Sequence, residues 1–248
     1  MFVVVAIMYW MVRPILVLTV LICGTTEPNP LAPAQWQLPD ADTQLQGLAL
    51  FGEYHRRESG YADRVLAVFD ALANIRGTAL LSHAHIERDD DQWLFLPALK
   101  RTKKIASRNK TGPFVGSEFS FEDLSPPEVE KYSYAYVGQK PCGELTCYVV
   151  DRFPKDEYSG YQKQRVWLDQ QGLRFQKVEY TNRRGVLEKR LMFKNYLRLA
   201  DQFFKPNTMH MENLLTGRGT DLYWCEYVLQ NNLSADRDFS VNSLRRAR

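Results

Sequence analysis

Apolar and polar positions alternate in short runs through most of this chain, and turn residues cut the runs apart. The run 78–85 ends at an acidic turn, 87–91, and the run 92–96 is ended by Pro97. Two such runs around acidic turn residues predict a hairpin. Residues 131–137 alternate strictly, which puts Tyr132, Tyr134 and Tyr136 on one face of a strand. Further strands are predicted at 146–153, 164–168, 175–180, 187–196, 208–213 and 220–228. Turns at 169–172, 182–185 and 216–219 separate several of them. Turn signals recur about every 10–15 residues without long helices between them, which predicts antiparallel meanders and not a parallel α/β sheet.

Three regions depart from this rhythm. Residues 42–76 are the most helix-like, because Leu45, Leu48, Ala49 and Phe51 recur near helical spacing. Within them Val65, Leu66, Val68, Phe69 and Leu72 form an apolar run that periodicity cannot assign to helix or strand. Residues 25–41 carry Pro28, Pro30, Pro33 and Pro39 and are expected to be a linker. Residues 1–24 are almost wholly apolar, with Arg13 as the single charge before Glu27. A positive charge followed by an apolar stretch and small residues predicts a secretory signal. An uncleaved anchor is the rival, since the run from Met1 is long enough to span a bilayer. Cys23 adds lipid attachment as a third reading, although Ile22 stands where a small residue is usual.

The strands are often apolar on both sides. In 220–228, Leu222 and Trp224 share one face, and Tyr223, Cys225 and Tyr227 share the other. A sheet with one wet face would alternate more cleanly. Two readings fit: a sheet whose concave face lines a greasy cavity, or an ordinary two-layer core. Composition agrees with a β fold, with 13 Tyr, 13 Phe and 5 Trp in 248 residues. The formal net charge of +3 does not suggest a nucleic-acid binder. Of the four cysteines, Cys142 and Cys147 flank a hairpin-sized loop. In an exported protein they are expected to form a disulfide. The competing half metal site lacks a second pair of ligands. Cys225 is expected to be a buried small hydrophobe.

Long stretches carry a family resemblance: DDDQWLFLPALKR at 89–101 and GPFVGSEFSFEDLS at 112–125. Shorter ones lie at 141–147, 159–161, 166–169, 209–216 and in the tail 236–248. The chain resembles the outer-membrane lipoprotein-sorting proteins, LolA-like periplasmic carriers, over about residues 42–248. The resemblance implies a mainly β (α+β) fold: a curved, incomplete antiparallel β-barrel of LolA/LolB type with a few helices on its open side. It implies a periplasmic, monomeric carrier without enzymatic activity or cofactor. The cargo it implies is lipid, or the acyl chains of a lipoprotein, with an RND-type inner-membrane exporter as partner. The alternative is an accessory module of an envelope complex that holds no lipid. The sequence departs from the family pattern between 56–60 and 66–70, where relatives usually carry about two more strands; a missing hairpin would expose a strand edge.

Burial of an acyl chain gains about 0.8 kcal/mol per CH₂, so a curved apolar surface suffices for a carrier. The expected lining residues are Leu94, Leu96, Tyr134, Tyr136, Trp167, Phe175, Met209, Met211, Leu222 and Trp224. Lys100, Arg101, Lys103 and Lys104 open a basic stretch continued by Arg108 and Lys110. It is read either as a contact for anionic headgroups or an acidic partner, or as a solvated face. His83 and His85 share a strand face near Asp89 and Asp91, and a polar face is favoured over a metal site. Glu118, Glu122 and Asp123 are expected to bond backbone groups of a loop, in preference to paired-carboxylate chemistry.

Overall fold

A computed structural model of the chain describes residues 17–19, 43–45, 48–53, 61–69, 76–126, 128–199, 203–223, 228–230 and 235–246. The strands in chain order are β1 (Val17–Thr19), β2 (Thr43–Leu45), β3 (Leu48–Glu53), β4 (Tyr61–Phe69), β5 (Ala79–His85), β6 (Asp91–Leu96) and β7 (Arg101–Ile105). They continue with β8 (Tyr132–Cys142), β9 (Leu145–Pro154), β10 (Tyr161–Asp169), β11 (Phe175–Asn182) and β12 (Leu187–Leu199). The last are β13 (Phe203–Asn213), β14 (Gly219–Tyr223) and β15 (Val228–Gln230). Among the described residues one α-helix, α1 (Ala235–Asp238), opens the tail.

The strands form two sheets, ordered β15-β1-β3-β4-β5-β6-β7 and β2-β14-β13-β12-β11-β10-β9-β8. Neighbours are antiparallel except β14 and β2, which run parallel. β2 and β3 are consecutive in the chain yet belong to different sheets, and so do β14 and β15. The sheets are therefore joined on that side and part on the other, where β7 and β8 are their edges. The result is the expected mostly β, incomplete curved barrel. Residues 106–131 connect the two edges through short 3₁₀ turns at Ser107–Asn109 and Val129–Lys131.

Two local expectations are corrected. The helix-like stretch within 42–76 forms β3 and β4, paired from Leu48↔Phe69 to Glu53↔Arg64. The cause lies in burial on both faces of β4. Ala67 packs toward the second sheet, while Leu66 and Val68 pack with Phe239 and Leu244 of the tail. A strand covered on both sides has an unbroken apolar run and loses its period of two. β4 has both neighbours, β3 and β5, in place. The strand expected at 220–228 is not one strand: β14 ends at Tyr223 in the second sheet, and β15 pairs in the first.

The remaining strands sit within a few residues of expectation. Cys142 and Cys147 form the expected disulfide across the β8–β9 turn, with Cα atoms 5.8 Å apart. The expectations for 1–24 and 25–41 lie outside the described residues apart from Val17–Thr19, which pair with β15 and β3. No helix among the described residues is long and apolar enough to cross a membrane.

Candidate functional site

The concave surface is built by strand alternation. Ala67, Leu80 and Leu94 of the first sheet pack in one cluster with Val166, Leu168, Val178, Tyr180, Leu191, Met211 and Leu222 of the second. Phe114, Phe119 and Val129 of the edge-to-edge connection join the same cluster, so this segment fills part of the hollow. Register sorts the concave face of the second sheet into bands. Arg152, Gln164, Tyr180 and Lys189 lie across neighbouring strands at one end. Val150, Val166, Val178, Leu191 and Met211 form the middle. Leu168 and Phe175, then Phe193, Met209 and Leu222, form the other end.

The two ends differ in chemistry. At the polar end residues 118–125 tie both sheets together. Gln92 Nε2 donates to Ser82 Oγ at 3.1 Å, to Phe121 O at 3.0 Å and to Ser125 Oγ at 3.2 Å. Asp123 accepts from the Ser120 amide at 2.7 Å, from Tyr161 OH at 2.7 Å and from Lys189 Nζ at 3.3 Å. Glu122 accepts from Ser159 Oγ and from the Gly160 amide at 2.9 Å. Burial pushes the Glu122 carboxyl up, against the lowering effect of those two donors. Glu118 accepts from Asn213 Nδ2 at 2.9 Å and from Arg218 at 3.0 Å. Glu122 and Asp123 each bind a backbone amide, as expected, whereas Glu118 binds the side chains of Asn213 and Arg218. At the apolar end Phe175, Phe193, Met209 and Leu96 are half-buried around the cluster. The Phe175 and Phe193 rings stack at 5.6 Å.

The structure brings seven of the expected lining residues into this one cluster: Leu94, Leu96, Tyr134, Phe175, Met209, Met211 and Leu222. Tyr136 stands opposite Val150 on the edge strand β8 and is 51% exposed. Trp167 packs on the opposite face of its sheet, with Val149 and Cys147, and Lys177 Nζ sits 3.7 Å over its ring. Trp224 lies outside the described residues. Leu80, Val166, Leu168, Leu191 and Phe193 belong to the same surface and were legible from strand alternation. Phe114 and Phe119 sit in a loop without period, where no pattern signals burial.

The basic stretch borders the concave side. Leu94 faces Lys103 and Leu96 faces Arg101 across the β6–β7 pair, so these two cations share the face of the apolar cluster. Lys100 precedes them in a left-handed conformation, φ 49°. All three are exposed, and none forms an ion pair among the described residues. Lys104 projects the other way, 2.6 Å from Asp91 and over the Trp93 ring. His83 Nε2 lies 2.7 Å from Phe239 O, and a carbonyl only accepts, so this nitrogen carries the proton. Burial holds the His83 pKa down, which keeps the ring neutral. Among the described residues no three His, Cys, Asp or Glu side chains gather as a metal site.

Known proteins share this architecture. A family model described only as "-like: Uncharacterized protein" matches residues 62–246. A crystal structure of a domain assigned to outer-membrane lipoprotein sorting, from Vibrio parahaemolyticus, is 42% identical. It has a TM-score of 0.75, with 80% of this chain and 83% of that chain covered. A DUF1329-family protein from Desulfovibrio piger is similar at 23% identity and TM-score 0.74, over 92% of this chain and 89% of that one. A LolA-superfamily protein from Nitrosomonas europaea shares the fold at 15% identity and TM-score 0.63, over 96% of this chain and 97% of that one. No curated protein matches. The half-barrel with its apolar concave face is the fold that these structures share. The chain belongs to the outer-membrane lipoprotein-sorting family.

Proposed function

We propose that this protein is a periplasmic, non-catalytic carrier that shelters a lipid, or the acyl chains of a lipoprotein, against its concave face. The transfer runs to or from the outer membrane, with an RND-type inner-membrane exporter as donor or acceptor. The observation that carries the reading is the asymmetry of the concave face. One end is locked by hydrogen bonds, and the other offers the half-buried apolar side chains Leu96, Phe175, Phe193 and Met209. The relative named for lipoprotein sorting supports the same reading.

A hydrocarbon tail leaving water gains about 0.8 kcal/mol per CH₂, so each added methylene should tighten binding about fourfold until the surface is filled. A series of fluorescent acyl probes of increasing length, titrated into the purified protein, measures this. Mass spectrometry of the organic extract should find co-purified lipid. A protein that extracts clean and takes up none of the probes would remain a docking module of an envelope complex, and the carrier reading would fall.

A further inference from the structure

Arg152 of β9 lies on the concave face, opposite Gln164 on one side and Tyr134 on the other. The residue is only 7% exposed. Its Nε–H donates to Gln164 Oε1 at 2.6 Å, and its guanidinium carbon lies 4.7 Å from the Tyr132 ring centre. Among the described residues no carboxylate pairs with it. Asp151, next in the chain, faces the opposite side and is held by Arg165 at 2.6 Å. Asp123 is taken by Lys189 and Tyr161, and Glu122 by Ser159 and Gly160.

A buried charge is costly unless it is paired, and a guanidinium cannot escape by losing its proton. Buried side chains usually resolve this with a carboxylate; Arg152 has a neutral amide and an aromatic face. Its terminal nitrogens Nη1 and Nη2 bond no acceptor among the described residues, yet neither is sealed from solvent. Their donors are free to grip a planar anion by two parallel hydrogen bonds.

We propose that Arg152 receives the anionic head of the carried amphiphile, a carboxylate or a phosphate. This rests on the carrier reading and adds to it a ligand class.

The test compares cis-parinaric acid, its methyl ester and an alkyl phosphate on the full chain and on Arg152→Met, Arg152→Gln and Arg152→Lys. The wild type should bind an anionic probe about 10- to 100-fold tighter than the ester, as expected for charge-assisted hydrogen bonds. The larger anion-dependent gain identifies the head as carboxylate or phosphate. Arg152→Met and Arg152→Gln should erase that preference, bringing anion binding down to the level of the ester, and Arg152→Lys should keep part of it. Arg152→Met should also melt at the wild-type temperature or above, because it removes an uncompensated buried charge. Equal binding of both anions and the ester by the wild type would overturn the proposal while leaving the carrier intact. So would a fall in Arg152→Met that affects ester and anions alike and comes with a lower melting temperature, the mark of a purely structural tie. If no probe binds at all, the carrier reading fails with it.

Discussion

Asp169 ends β10 fully buried and gathers a turn around itself. Its carboxylate accepts from the amides of Gln171 at 3.1 Å, Gly172 at 2.7 Å and Arg174 at 3.2 Å. It also accepts from Arg174 Nε at 2.7 Å and Gln176 Nε2 at 2.9 Å. Burial alone would raise this carboxyl, but the Arg174 guanidinium, the Gly172 amide and Gln176 outweigh it and hold the pKa below the usual carboxylate range. The folded value therefore lies below the unfolded one. The stabilisation is complete above about pH 4 and is lost as pH falls through the folded value. Glu122 runs the other way: burial raises it, so its contribution is present in acid and is lost as pH rises through its folded value. Asp169→Asn should cost about 2–4 kcal/mol at neutral pH and flatten the acid limb of the stability curve. Urea melts at neutral and acid pH read both effects, and parallel acid limbs in the two proteins would rule Asp169 out as their source.

At the scale of the element, the β8–β9 hairpin shows what local sequence can specify. Pairing runs from Tyr132↔Pro154 to Cys142↔Leu145, and the disulfide closes the end of a ladder that is already in register. Reduction, or Cys142→Ser with Cys147→Ser, should leave the ladder intact and cost about 2 kcal/mol, the chain-entropy value for so short a loop. For a domain of this size that is a fall of about 4–8 °C in melting temperature, with an unchanged far-UV circular dichroism spectrum. A loss of β signal at room temperature would mean that the bridge sets the register. The hairpin was legible because alternation, a turn and two cysteines all speak within twenty-odd positions of one another. β4 was not legible, because its cover on one face comes from Phe239 and Leu244, far along the chain. The change of sheet between β14 and β15 was hidden for the same reason: partners of β15 lie in β1, near the opposite end of the sequence. The same limit applied to the candidate site. Strand alternation grouped Met209, Met211 and Leu222, which the structure packs in one cluster, but it could not tell their face from that of Trp167. Phe114 and Phe119 carry no pattern at all, since a loop's burial depends on what it crosses.

At the scale of the molecule, the half-barrel has two edges, and one of them, β7, carries a run of cations. An exposed edge strand invites pairing with another chain, and lysines on it discourage that. Lys100, Arg101 and Lys103 go further than protection requires, because among the described residues they stand without ion pairs beside the concave side, while Lys104 and Lys110 are held by Asp91 and Asp156. Leu99, 62% exposed, projects from the turn that precedes them. An apolar tip flanked by unpaired cations suits a surface of anionic headgroups, from which a tail could pass onto Leu94 and Leu96 without crossing water. Each such charge contributes up to about 1 kcal/mol near an anionic membrane, about fivefold in partitioning. The variant with Lys100→Gln, Arg101→Gln and Lys103→Gln should therefore bind phosphatidylglycerol vesicles up to about a hundredfold more weakly than the wild type at low salt. The difference should shrink at high salt, where the Debye length falls to about 3 Å. Phosphatidylcholine vesicles serve as the reference, because any attraction of the apolar N-terminal residues for a bilayer is common to both proteins and both lipids. Cosedimentation that is equal for the two lipids, or equal for the two proteins, would reduce the cationic edge to a guard against strand pairing and leave cargo entry to another part of the rim.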